Sequence, residues 1–166
     1  MIADASGIRV GKGAIVSPST QGTSRTAKLL TLMTKGDDAF NDRDFEVLDA
    51  VHHPDMIAFI PGSAQPIYGR TAHAAAMRQL IRIFPDIRVQ TPYPIQFGHG
   101  DWITVVTRTT GTFKGEMALP DGTVIPPTGK AFDLEFGQTS KWKSDQLIWI
   151  SAFFDSALQA RQLGIG

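Results

Sequence analysis

Hydrophobic residues in the first half of the chain recur at the period of amphipathic helices. In residues 29–40 the apolar side chains stand three or four positions apart, which predicts a helix that begins near Ser24. A second, shorter helix is predicted to begin at Asp44, because aspartate is a preferred N-cap residue. A third is predicted over residues 71–84, where Pro85 ends the apolar stripe. The first half is therefore predicted to be mainly helical.

The second half of the chain is predicted to form β-strands instead. Residues 102–113, 130–143 and 147–154 are rich in β-branched and aromatic side chains, and turn-forming sequences separate them. The loop at residues 118–130 contains a Pro-Asp-Gly turn and a Pro-Thr-Gly turn. Helices followed by consecutive long strands predict an α+β domain with a mostly antiparallel sheet. Such a sheet is expected to curve strongly around the N-terminal helices and to form a cone with an apolar cavity.

The last strand has two faces of different chemical character. Trp149, Ser151 and Phe153 lie on one face, with Asp155 at its end, because successive strand side chains alternate in direction. This face is aromatic and ends in a carboxylate, so it is a candidate wall for a ligand cavity. Asp155 has a second interpretation, as the N-cap of a short helix that stops at Gly164. The opposite face is wholly apolar and predicts core.

Three more side chains are candidates for binding a ligand in the same cavity. His73 lies on the apolar stripe of the third helix, either as a buried core histidine or as a polar anchor for a ligand. Trp102 and Arg108 share one face of the strand over residues 102–113. The arginine is expected either to pair with a carboxylate on a neighbouring strand or to lie at the edge of a cavity.

Composition narrows the classes of function. Sixteen basic residues balance sixteen acidic ones, which disfavours nucleic acid and anionic membrane surfaces as partners. The absence of cysteine excludes disulfides, thiolate nucleophiles and cysteine-ligated metals, and it fits a cytoplasmic protein. No apolar run approaches the roughly 20 residues of a membrane span. The adjacent His52 and His53 lack the spacing of a metal-binding motif, so we expect no metal site.

The N-terminal residues differ in composition from the rest of the chain. Residues 1–23 are rich in glycine, serine and threonine, and they contain two short β-like segments on either side of a Gly-Lys-Gly sequence. We expect them to form an arm that is either flexible or packed on a partner subunit. Residues 24–166 are expected to form a single domain, since their number is typical of one.

Several short sequences have the order and spacing of one known family. They are His53-Pro54-Asp55, the segment from Gly69 to Pro85, Gly100-Asp101, Arg108 with Gly111-Thr112 and Gly115, Pro127-Thr128-Gly129-Lys130, and Trp149 with Asp155 and Gln162-Leu163-Gly164. Over about residues 25–164 the chain thereby resembles the SnoaL-like polyketide cyclase branch of the nuclear-transport-factor-like superfamily. The resemblance implies a cone-shaped α+β fold, and this fold hosts many functions.

For activity, the resemblance implies intramolecular aldol cyclisation of a small hydrophobic polyketide. A carboxylate at the position of Asp155 would remove a proton beside a carbonyl and return one to the new alcohol. The resemblance implies neither metal nor cofactor, because the conjugated substrate stabilises its own enolate. An apolar wall formed by Trp149 and Phe153 would raise the pKa of this carboxylate from about 4 towards neutrality, where it becomes a better base.

The chain also departs from the family's pattern. The cyclases place one histidine two residues before the carboxylate, where this chain has Phe153, and another near positions 140–142, where this chain has none. Without these donors the stabilisation of an enolate oxygen is weaker. Isomerase or dehydratase (lyase) chemistry is therefore an alternative, and so is a non-catalytic domain that binds a small ligand or dimerises. A homodimer is expected under each of these interpretations, because the hydrophobic sheet face is large.

Overall fold

The computed structural model describes residues 20–165, except Ala64 and Pro120, and it describes side chains from residue 24 onward. The predicted N-terminal arm lies outside the described residues as far as position 19. Within the described part, the helices are α1 (Thr20–Asp42), α2 (Phe45–Val51), α3 (Arg70–Ile83) and α4 (Ser156–Leu163). Helix α1 thus begins earlier than the hydrophobic pattern predicts, whereas Asp44 caps α2 as expected, its side chain accepting a hydrogen bond from the backbone N–H of Val47.

The strands form one curved sheet and a small separate hairpin. The strands of the sheet are β1 (His52–Phe59), β2 (Ile67–Tyr68), β3 (Arg88–Val89), β4 (Ile95–His99), β5 (Trp102–Thr112), β8 (Ala131–Lys143) and β9 (Gln146–Phe153). The hairpin consists of β6 (Met117–Ala118) and β7 (Val124–Ile125), within the segment expected to be a loop. The order in the sheet is β2-β1-β9-β8-β5-β3, and β4 also pairs with β5. The pairing of β1 with β9 is parallel, and all other described pairs are antiparallel.

The cone is closed by α1, which packs against β3, β4 and β5. Leu29 and Met33 of α1 are almost completely buried, as are Ile103, Trp142 and Ile150 on the inner face of the sheet. Burial of this apolar surface is the main favourable contribution to folding. The predicted fold class, a strongly curved α+β cone, is confirmed. None of the described helices is long and apolar enough to cross a membrane.

The strand register determines which side chains face outward. Ile150, Ser140 and Ile103 occupy one row across β9, β8 and β5, and the Ser140 hydroxyl approaches the sulfur of Met33 on α1. This row therefore faces the interior. Because neighbouring strand residues alternate, Trp149 lies on the opposite, outer face. The outer face carries rings in contact with one another: Trp149 lies 5.6 Å from Phe59 and 5.6 Å from Trp102, measured between ring centroids.

Gly115 allows a tight backbone approach after β5, and this predicts a clear effect of substitution. A Cβ at this position would lie 2.1 Å from the carbonyl oxygen of Arg82 in α3. Because the obstacle is backbone, Gly115→Ala should force the connection away from α3 and lower the free energy of unfolding by about 1–3 kcal/mol in urea titrations.

Gly137→Ala is the matched control for this prediction. The nearest atoms to a Cβ at Gly137 are 4.0 Å away, so the substitution should change the free energy of unfolding by less than about 1 kcal/mol. Equal effects of the two alanine substitutions would contradict the packing described here.

Candidate active site

A buried polar cluster lies inside the cone, between α1 and the inner face of the sheet. The Tyr93 hydroxyl donates a hydrogen bond of 2.7 Å to Oδ2 of Asp37, and Nε2 of Gln138 donates one of 3.2 Å to the same oxygen. Tyr93 and Gln138 are 5% and 6% exposed, whereas Asp37 keeps part of its surface accessible. We call these three residues the interior polar cluster.

The interior changes the acid–base properties of the cluster. Burial raises the pKa of Asp37 to about 6, although hydrogen bonds from Tyr93 and Gln138 oppose the shift, and the nearby charge of Asp38 adds to it. Burial, the charge of Asp37 and the hydrogen bond to it also raise the pKa of Tyr93. The phenol therefore remains a protonated donor, while the carboxylate titrates close to neutral pH.

The position of Tyr93 depends on contacts between α1 and the segment around β3. The Asn41 side chain accepts a hydrogen bond from the backbone N–H of Val89 and donates one to its carbonyl, both at 2.8 Å. The Thr91 hydroxyl donates to Asp38 at 2.6 Å. β3 has only two residues, so these side chains supply the hydrogen bonds that a longer strand would obtain from a neighbour. Together they hold Tyr93 against Asp37.

Two threonines add polar atoms to the inner face of β5. The Thr107 hydroxyl donates to the carbonyl of Gln90 at 2.7 Å. The buried hydroxyl of Thr109 has no hydrogen-bond partner among the described residues. Buried polar groups without partners are uncommon because they lose their interaction with water. The unpartnered hydroxyl of Thr109 is therefore an unusual feature of the inner face of β5.

His73 is buried, as its position on the apolar stripe of α3 predicts, and it packs edge-on against His52 with ring centroids 4.8 Å apart. Burial lowers the pKa of His73 to about 4, and burial together with the charges of His73 and Arg70 lowers that of His52 to about 3. Both rings are therefore neutral at pH 7. Nδ1 of His73 and Oδ1 of Asp49 are buried without partners in the described part of the chain.

Asp155 occupies the N-cap position of α4. Its Oδ1 accepts a hydrogen bond of 2.8 Å from the backbone N–H of Leu158, and the residue is exposed. Asp155 therefore has the contacts expected of a helix N-cap residue. Trp149 and Phe153, which were expected to form an apolar wall around this carboxylate, lie on the outer face of the sheet, and Phe153 is 56% exposed.

The other predicted binding residues are also outside the cone. Ser151 and Trp102 share the outer face with Trp149, so they do not line the interior as expected. Arg108 makes two hydrogen bonds to the Asp133 carboxylate on β8, the pairing with a neighbouring strand that was expected, and it also lines a cleft outside the cone. A role in ligand binding stays a prediction for each of these side chains.

The interior polar cluster was missed in the sequence analysis, although two signals were present. Asp37 follows Met33 by four residues, so it continues the buried face of α1 with a carboxylate. Gln138 occupies an even-numbered position of β8, where the alternate residues Phe132, Leu134, Ser140 and Trp142 are all buried. No comparable signal exists for Tyr93, because its segment lacks a regular period.

Groups of three or more metal-ligating side chains are absent from the described residues.

Comparison with known proteins agrees with the fold. The model of the SnoaL-like polyketide cyclase family matches residues 30–163, which include the interior polar cluster and Asp155. No curated protein matches the chain.

Similar solved structures include IdmH, a putative polyketide cyclase from Streptomyces antibioticus, with 22% identity and a TM-score of 0.69 over 82% of this chain and 98% of that chain. A putative SnoaL-like polyketide cyclase from Jannaschia sp. CCS1 has 21% identity and a TM-score of 0.71 over 90% and 98% of the two chains. A hypothetical protein with a ketosteroid isomerase-like fold from Catenulispora acidiphila has 12% identity and a TM-score of 0.67 over 81% and 93%.

At these identities the structures show a shared fold. Since the family model spans most of its length, the chain belongs to the SnoaL-like polyketide cyclase family.

Proposed function

We propose that the protein is a cofactor-free enzyme that uses the Asp37 carboxylate as acid and base on a hydrophobic carbonyl compound. The observation that carries this proposal is the carboxylate inside the cone, held at one oxygen by Tyr93 and Gln138. Membership of a family named for polyketide cyclases supports a carbonyl substrate. Aldol cyclisation is the reaction we favour, and isomerisation or dehydration would use the same base.

The reaction needs one group that gives and takes a proton. Oδ1 of Asp37 removes a proton from the carbon beside a substrate carbonyl, and the electron pair of the broken C–H bond forms an enolate. The enolate carbon attacks a second carbonyl of the same molecule, which closes the ring and leaves an alkoxide. The protonated Asp37 then returns its proton to this alkoxide, so the carboxylate is regenerated. No electron acceptor is required.

The environment of Asp37 suits this role. A carboxylate with a pKa near 4 is a weak base, and the interior raises the pKa of Asp37 to about 6. Proton transfer is efficient when the pKa of the catalytic group lies near the working pH. Tyr93 and Gln138 bind Oδ2 and fix the plane of the carboxyl group. Such positioning lowers the entropic cost of reaching the transition state.

Asp155 is the competing carboxylate, because it is the residue that the family resemblance nominates. Its carboxylate is exposed and accepts a capping hydrogen bond from the backbone at the start of α4. Asparagine is as good an N-cap as aspartate. Asp155→Asn therefore removes this carboxylate while leaving the end of the helix intact, and it is a suitable comparison for Asp37→Asn.

We also propose that the protein forms a homodimer through the outer face of the sheet. Of the seven large apolar side chains exposed among the described residues, six lie on this face or at its edge: Phe59, Tyr68, Ile95, Phe97, Trp102 and Phe153. The same face carries Lys141 in one row and Glu135 in another. A two-fold axis through the face would bring opposite charges together around the apolar centre, as in an isologous interface.

The proposed catalytic role of Asp37 can be tested by proton exchange. Asp37→Asn should lower the rate of α-proton exchange of a hydrophobic ketone such as 2-tetralone in D₂O, followed by NMR, by at least about 100-fold. Asp155→Asn should retain most of the rate. The wild-type rate should rise with pH through about 6 and then level off, since the carboxylate must be ionised to act.

A folding control separates loss of the base from loss of structure. Because folding raises the pKa of Asp37, the protonated side chain stabilises the fold below about pH 4, and this stabilisation is lost as the pH rises through about 6. Asparagine is uncharged, like the protonated acid, and it does not ionise at high pH. Asp37→Asn should therefore remain folded at pH 8 by circular dichroism. A retained rate in Asp37→Asn together with a lost rate in Asp155→Asn would move the base to Asp155.

The proposed homodimer can be tested by sedimentation. Sedimentation velocity at micromolar concentration should show a dimer, and Trp102→Glu should convert it into a folded monomer because a charge is buried in the contact. Val124→Glu is the matched control: Val124 is also exposed but lies on the separate hairpin. A monomeric wild-type protein would overturn the proposed interface.

A further inference from the structure

A polar cleft of about 310 Å³ lies at the edge of the sheet, between β3, the segment after it and β5. Arg88 and Arg108 contribute guanidinium groups to it, and Asn41, Thr91 and Thr110 complete much of the wall. We call it the arginine cleft. Its volume is at the lower end of the range for small-molecule sites. The proposed chemistry at Asp37 makes no use of it.

The charges around the arginine cleft are not evenly balanced. Arg108 is paired with Asp133, whereas Arg88 makes no ion pair within the described part of the chain. A third guanidinium is close: burial and the charge of Arg88 lower the pKa of Arg43, while Asp86 opposes the shift. Arg43 donates to the carbonyls of Phe40, Pro85 and Ile87, so its charge is not compensated by a carboxylate contact.

The acidic groups near the cleft are already engaged. Asp86 accepts hydrogen bonds from the backbone and hydroxyl of Thr112 and lies 3.5 Å from the ammonium group of Lys114. Asp133 accepts both hydrogen bonds from Arg108. Glu135 is opposite Arg108 in the strand register and reduces the positive charge at the far side of the cleft. Of the two guanidinium groups that line the cleft, that of Arg88 is the one without a carboxylate contact among the described residues.

The wall of the cleft is held rigid by contacts that leave Arg88 available. The Asn41 amide is committed to Val89, and the Thr91 hydroxyl is committed to Asp38. Arg88 and Thr110 are directly paired across β3 and β5, so their side chains emerge side by side. A guanidinium beside a hydroxyl is a good donor set for a planar or tetrahedral oxyanion.

We propose that the arginine cleft binds the anionic group, a carboxylate or a phosphate, of a small-molecule ligand, with Arg88 as the principal contact. The anion is recognised by hydrogen bonds from the guanidinium and the Thr110 hydroxyl, and the positive charge of Arg43 strengthens its attraction. This binding does not require Asp37 to be a catalytic base, so the two proposals can fail separately.

Titrations followed by ¹H–¹⁵N NMR test the cleft with three probes: benzoate, inorganic phosphate and the neutral benzamide. Benzoate or phosphate should give saturable shifts in the backbone amides of residues 88–91 and 108–110, and benzamide should give none there. Saturation by benzoate alone identifies an aryl carboxylate site, and saturation by phosphate alone identifies a phosphate site. In Arg88→Gln the dissociation constant of the effective anion should rise about tenfold, since one charge-assisted contact is lost.

Arg82→Gln is the matched control, because Arg82 is exposed on α3 and bonds only to Gln79 among the described side chains. It should bind the anion like the wild-type protein. The proposal is overturned if neither anion gives saturable shifts at these amides, if benzamide matches the anions, or if the Arg88 and Arg82 variants respond alike. Thermal unfolding of both variants should match the wild-type protein, since both side chains are exposed.

Discussion

The attachment of the β3 segment to helix α1 is the constraint on which the interior depends. Asp37, Asp38 and Asn41 lie in the last two turns of α1 and bind Tyr93, Thr91 and Val89 in the opposite segment. Each contact is modest alone, about 1 kcal/mol for a typical hydrogen bond. Together they close the cone where β3 is too short to form a regular strand pair. The same contacts bring the phenol and the carboxylate together.

This set of groups is costly in a purely structural core. Apolar side chains of similar volume would avoid the cost of removing a carboxylate from water. The chain instead keeps the Asp37 carboxylate in contact with the buried side chains of Tyr93 and Gln138. Burial disfavours the charged form of Asp37, and that penalty is what makes its carboxylate a stronger base. The structural cost and the proposed chemistry thus have one physical origin.

The hydrophobic pattern was sufficient to predict the fold, because burial is encoded in the spacing of apolar residues. The alternation in residues 130–143 and the stripe on α3 predicted the long strand and the buried position of His73 correctly. The pattern predicted the apolar face of the last strand as core, and Ile150 lies there, but it could not show that the aromatic face lies outside the cone. Trp149 and Phe153 are aromatic, yet they lie outside, and a register shift between Lys141 and Trp142 accompanies the pairing of β8 with β9. The interior polar cluster joins residues 56 and 101 positions apart, so no local sequence window contains it.

Titration of the Asp37 carboxyl group shows whether this side chain can be the base. It can be followed by carboxyl NMR in the wild-type protein and in Tyr93→Phe. We expect an apparent pKa near 6 in the wild-type protein, and a higher one in Tyr93→Phe, because the hydroxyl donor that favours the charged form is lost. A value near 4 that does not change in the variant would mean a solvated carboxylate without contact to Tyr93. The interior polar cluster would then have no part in catalysis.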